Sequence, residues 1–265
     1  MSYRASIGLG VHARTVAAAA FVPETGEVIE RGFGYDPASV AAWAATLPQP
    51  ARAVYESGPT GFDLKRSLDS LGLPCCVGAV SKMLEPAGDR VKTDRRDAAF
   101  LARMLAVGNV VEVSCPTPAQ EAARDLARAR ADAREDLMAA RNRLSKMLLR
   151  KGLVYPGRSA WTNAHRGWLR SIELPLPAER LVMSEYLQQV VACEERRDRL
   201  DAAIAGLAAA PEWAPLVSRI AAEANRRLHS KAGRLRARKV NPGKANVAVA
   251  RELAGFVWAL AVCEG

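Results

Sequence analysis

No stretch of eighteen apolar residues occurs in this 265-residue sequence, so it contains no helix that would span a membrane. The start, Met1-Ser2-Tyr3-Arg4, has no basic segment followed by an apolar one, which excludes a secretory signal there. Cysteine is sparse and irregular. There are five residues, with the adjacent pair Cys75-Cys76 and no CxxC, so free thiols in a reducing cytoplasm are expected rather than disulfides or zinc. Only three histidines occur (His12, His165 and His229), and no pair has metal-ligand spacing. Gly8-Leu9-Gly10 lacks the third glycine and the following helix of a dinucleotide site, and there is no P-loop.

Acidic charge is the other shortage, and it is local. The formal net charge is +10. Residues 1–115 hold 12 basic and 12 acidic residues, so the whole excess lies in 116–265. This asymmetry points to a polyanion contacted by the C-terminal part.

The order of patterns along 1–115 is α/β. Three short apolar runs, Ser6–Val11, Thr15–Val22 and Val28–Tyr35, are joined by hairpin-like connections and predict three antiparallel strands. Asp36-Pro37 is an N-cap followed by a first-turn proline, and predicts a helix through Trp43. A strand at 51–55, a helix at 61–71, a strand at 75–80 and a helix at 94–107 follow. The order βββαβαβα matches the ribonuclease-H-like plan, a mixed sheet with helices on its faces, while periodicity alone leaves other α/β folds open.

Beyond 115 the sequence is helical. Over 118–152, Leu126, Ala133, Ala140 and Met147 recur at sevens, with Leu137 and Leu144 between them. This is a heptad seam, with Arg130 in one seam position. A second helix is expected at about 178–207. Either it folds back on the first as a hairpin or the seam meets another chain; pairing of two hairpins into a four-helix bundle satisfies both. The first helix ends wholly basic, with Arg141, Arg143, Lys146, Arg150 and Lys151, more than a helix dipole calls for. Residues 216–265 read as a basic helix carrying Arg226, Arg227, Arg234, Arg236 and Arg238, then an apolar one at 248–262. Three parts are therefore expected: 1–115 α/β, 116–215 a coiled-coil or helical linker, and 216–265 the basic and apolar helices.

Three carboxylates stand out as candidate chemistry. Glu56 ends a strand, and Asp94 and Asp97 share a helix face at i,i+3. Carboxylates gathered at strand ends could hold Mg²⁺ for phosphoryl chemistry. A helix N-cap is the plainer reading of Asp94.

Lys92-Thr93-Asp94-Arg95-Arg96-Asp97-Ala98 resembles a signature of the DEDD transposases of bacterial insertion sequences, and Tyr55-Glu56-Ser57-Gly58-Pro59-Thr60-Gly61 is similar to a second. Ala140–Leu144, Gly152–Pro156 and Val249–Trp258 resemble their linker and tail. The resemblance implies a RuvC-like N-terminal domain, a coiled-coil linker, and recombination of DNA guided by a structured RNA. It implies that Glu56, Asp94 and Asp97 are catalytic metal ligands. The family's first aspartate, however, falls where this chain has Gly10, within Gly8-Leu9-Gly10-Val11-His12. The family's serine-bearing domain has no counterpart between about 220 and the tail. The combined expectation is a cytoplasmic, oligomeric protein that binds structured RNA, DNA or both and lacks intact chemistry. The alternative is an active Mg²⁺-dependent transposase or nuclease.

Overall fold

The computed structural model describes residues 3–79 and 94–237. They fall into two units that divide between Pro116 and Thr117.

The first unit is a six-stranded mixed sheet with helices on both faces. Its strands are β1 (Ala5–Val11), β2 (Thr15–Val22), β3 (Glu27–Gly34), β4 (Ala51–Glu56), β5 (Cys75–Gly78) and β6 (Glu112–Val113). Their order is β3-β2-β1-β4-β5-β6. β2 runs antiparallel to β1 and β3, while β1, β4 and β5 are parallel. The helices are α1 (Pro37–Ala45), α2 (Asp63–Ser70) and α3 (Asp94–Ala106). Element order therefore follows the sequence-based plan, and the topology is compatible with a ribonuclease-H-like sheet. The two-residue β6 is an addition. Its antiparallel pairing with β5 is too short to leave a periodic pattern in sequence.

Local chemistry explains the elements. Asp36 caps α1 by accepting the amide hydrogens of Ala38 and Ser39, with Pro37 in the first turn. β1 is buried from Ala5 to Leu9 because both of its faces are covered. Ile7 and Leu9 join Val40, Trp43, Tyr55, Leu64 and Leu68 in the main core. Alternation turns Gly8 and Gly10 to the opposite face, where α3 lies. A Cβ on Gly8 would stand 1.9 Å from the carbonyl oxygen of Ala98 and 2.7 Å from the amide nitrogen of Ala102. Only glycine lets α3 approach β1 this closely. Cys75 and Cys76 are buried and free; burial pushes the Cys75 thiol far above its usual range and that of Cys76 to about 11.

The second unit is helical: α4 (Pro118–Arg150), α5 (Asn163–Ser171), α6 (Pro177–Ala209) and α7 (Ala214–Ala237). α4 opens with a capping box, Thr117 and Gln120 exchanging side-chain and backbone hydrogen bonds. The heptad seam predicted in α4 is buried within the same chain. Ala133, Leu137, Ala140, Leu144 and Met147 are all covered. Leu137 and Ala140 pack with Val190 of α6, and Leu144 and Met147 with Met183. The partners run in opposite order along the two helices, so α4 and α6 form an antiparallel hairpin. α5 is a helix in a stretch for which sequence patterning predicted none; Thr162 caps it, and its buried residues are His165 and Leu169. The apolar segment 248–262 lies outside the described residues, as does Arg238.

Candidate functional site

The carboxylate face of the first unit follows from the sheet register. β1 and β4 align Leu9 with Tyr55, so Gly10 and Glu56 share the α3 side at the ends of their strands. Glu56 is exposed and ends the pairing of β4 with β5, opposite Gly78. Asp94 and Asp97 lie in the first turn of α3, Asp94 exposed and Asp97 partly covered. A Cβ on Gly10 would meet the Asp94 carbonyl oxygen at 3.1 Å, so the start of α3 sits directly over residue 10. The Asp94 carboxylate is engaged by His12, with Nε2 3.2 Å from Oδ1.

Sequence reasoning missed one contributor here. Tyr55 is fully buried, and its hydroxyl donates to the Gly61 carbonyl at 2.9 Å. With the Ser57 amide donating to the Gly78 carbonyl at 3.0 Å, it fixes the loop that follows Glu56. Burial pushes the Tyr55 phenol well above its usual range, so it stays a donor. An apolar strand position gives no signal of this role.

Family resemblance would give Mg²⁺ to Glu56, Asp94 and Asp97. Mg²⁺ usually keeps several waters and is held in a protein by one or two carboxylates. Among the described residues no group of three or more His, Cys, Asp or Glu side chains could hold a metal ion. Gly10 supplies no ligand.

In the second unit the predicted basic residues separate into two sets. Arg141 is structural: its guanidinium donates to Glu194 Oε1 at 2.6 Å and lies over the Trp161 ring, 4.7 Å from its centroid. Arg166 donates to the same Glu194 oxygen, also at 2.6 Å. Burial alone would raise the Glu194 pKa, but the hydrogen bonds from Arg166 and Arg141 outweigh it and hold the carboxyl below its ordinary range. Lys151 pairs with Glu179. Arg143, Lys146 and Arg150 are exposed on α4. In α7, Arg226, Arg227 and Arg234 are exposed; the side chain of Arg236 lies outside the described residues.

Beside this ion cluster is an aromatic one that the sequence did not reveal. His165 is buried, with Tyr155, Trp161 and Trp168 around it at ring-centroid distances of 4.7, 5.2 and 5.5 Å. Its Nδ1 accepts the Trp161 amide hydrogen at 3.1 Å, a bond that supports Trp161 at a φ of 65°. Burial first, and the nearby Arg166 second, lower the His165 pKa, so the ring is neutral and acts as an acceptor.

No family model matches the chain. Over 214 residues it is 31% identical to the transposase for insertion sequence element IS1533 of Leptospira borgpetersenii, a match covering 78% of this chain and 62% of that protein. Over 138 residues it is 42% identical to the candidate transposase y4qE of Sinorhizobium fredii, covering 52% of this chain and 35% of that one. The chain is similar to insertion-sequence transposases. It spans less than two thirds of the length of either relative. Among the described residues no helix is long and apolar enough to cross a membrane.

Proposed function

We propose that the chain is a transposition-related protein with a RuvC-like first unit, which binds structured RNA, DNA or both in the cytoplasm and does not itself cut or join strands. One observation carries this reading. Gly10, which supplies no carboxylate, stands at the strand end facing Glu56 and the start of α3, where the family resemblance implies the first metal-binding aspartate. The mixed sheet and the transposase relatives support the family assignment. The positive excess beyond residue 115 supports nucleic acid as partner. Self-association belongs to the same proposal. The α4 seam is filled by α6, so a second copy would meet outer positions such as Met138 and Leu149, both large, apolar and exposed.

The test is a purification without nuclease followed by a cleavage assay. Nucleic acid should copurify, and labelled DNA should remain intact when Mg²⁺ is added. Mg²⁺-dependent cleavage that disappears in Glu56→Ala would instead establish the active reading, with Glu56, Asp94 and Asp97 sharing the metal.

A further inference from the structure

We infer that the phosphate backbone of the bound nucleic acid seats on one flank of the α4–α6 hairpin, on Arg143, Lys146 and Arg150, and not on Arg141 or Lys151. This rests on the nucleic-acid reading above and assigns it a surface.

The five basic residues that end α4 look equivalent in sequence, but the fold divides them. Arg141 points to α5 and α6, where Glu194 and Trp161 hold it, and Lys151 is neutralised by Glu179. Arg143 lies two residues beyond Arg141, about 200° around the helix. Lys146 and Arg150 follow at i+3 and i+7, so the three share one face. That face is turned away from the side on which Arg141 meets Trp161 and Arg166. All three side chains are exposed, and none has an ion-pair or hydrogen-bond partner among the described residues. At the same level of α6, the acids Glu194 and Glu179 are already engaged by Arg141 with Arg166 and by Lys151. Glu185 is exposed between them, which leaves three cations against one acid.

The row extends about 10 Å along α4, the rise of about three nucleotides on one strand. Cations placed this way neutralise phosphates in series and release their counterions. They offer no bidentate geometry for reading bases, so the contact is independent of sequence.

The experiment measures binding of the full chain to an RNA hairpin, oligo(dT) and a DNA duplex, each of about 20 nucleotides or base pairs, across a salt series. The variants are Arg143→Gln/Lys146→Gln/Arg150→Gln and, separately, Arg141→Gln. The triple variant should fold like the native chain, because its side chains are exposed. Its plot of log affinity against log salt should flatten by about 2 for single strands or about 3 for the duplex. The arm that shows the change identifies the bound form. Arg141→Gln should leave the slope unchanged while lowering the melting temperature. An unchanged slope in the triple variant, or equal flattening in Arg141→Gln, overturns the assignment to this flank. Failure of the native chain to bind any of the three probes overturns the nucleic-acid reading itself.

Discussion

Arg130 and Asp201 face each other across the helical hairpin, Nε to Oδ1 at 2.7 Å. Arg130 occupies a seam position where the heptad pattern calls for an apolar side chain, and α6 answers it with a carboxylate. The hydrogen bond from Arg130 is the main reason the Asp201 carboxyl lies below its usual range. Both side chains stay more than a third exposed, so solvent screens the pair.

Asp201→Ala should therefore lower the stability of the helical unit only slightly. Replacing both residues with leucine extends the apolar seam and should leave the hairpin at least as stable as the native one. Urea unfolding followed by helical circular dichroism measures both; a large loss in the double leucine variant would show that the ion pair is essential.

Deeper in the seam the cost rises. Leu144 is 1% exposed, so Leu144→Ala should cost about 2–5 kcal/mol through lost burial and the cavity left behind. The unfolding of the α/β unit, followed by exchange of its strand amides, should be unaffected.

Gly8→Ala is expected to be worse than its one added methyl suggests. The new Cβ would collide with backbone atoms of α3, which no rotamer change relieves. Overpacking of this kind typically costs about 1–3 kcal/mol and sometimes more. Gly10→Ala, with its nearest contact at 3.1 Å, should cost distinctly less in the same denaturant titration.

Gly10→Asp brings a fourth carboxylate to the face that carries Glu56, Asp94 and Asp97. Like charge should lower the melting temperature without divalent ions. Added Mn²⁺ should raise it in the variant and leave the native chain unmoved, by linkage of binding to folding. An equal rise in both proteins would show that Gly10 does not limit metal binding.

Acid should weaken the helical unit in two stages. His165 has a lowered pKa in the folded chain, so the unfolded chain binds the extra proton first. Stability is full above about pH 6.5 and declines below it, by at most about 1.4 kcal/mol per pH unit, until the folded value is reached. Glu194, also lowered when folded, contributes above its ordinary pKa and is lost at more acid pH. His165→Asn keeps an acceptor for the Trp161 amide but cannot titrate, and should abolish the first stage in unfolding curves recorded between pH 7.5 and 5 (a window bracketing the ordinary histidine value). A first stage that survives in this variant assigns it to another group.

Much of the fold was legible because its signals are periodic or local. Strand alternation and turns gave β1 to β3, Asp36-Pro37 gave α1, and the heptad gave the buried stripe of α4. α5 escaped because it has only nine residues and buries just two of them, His165 and Leu169, too few to set a helical period. The partner of the α4 seam was left open between the 178–207 helix and another chain, because periodicity specifies an apolar face and not what covers it. The roles of Arg141 and Lys151 depend on Glu194 and Glu179, residues 53 and 28 positions away. The candidate carboxylates were found by resemblance; their relation to Gly10 needed the sheet register.

The seat of α3 on β1 also bears on precision. Because the contact at Gly8 is backbone against backbone, no side chain lies in the joint to hop between rotamers and absorb a disturbance. Such a joint has almost no compliance. The height of Asp94 and Asp97 above the sheet is set by van der Waals contact between two backbones, and a substitution elsewhere in the core would shift the whole helix rather than loosen these two residues alone.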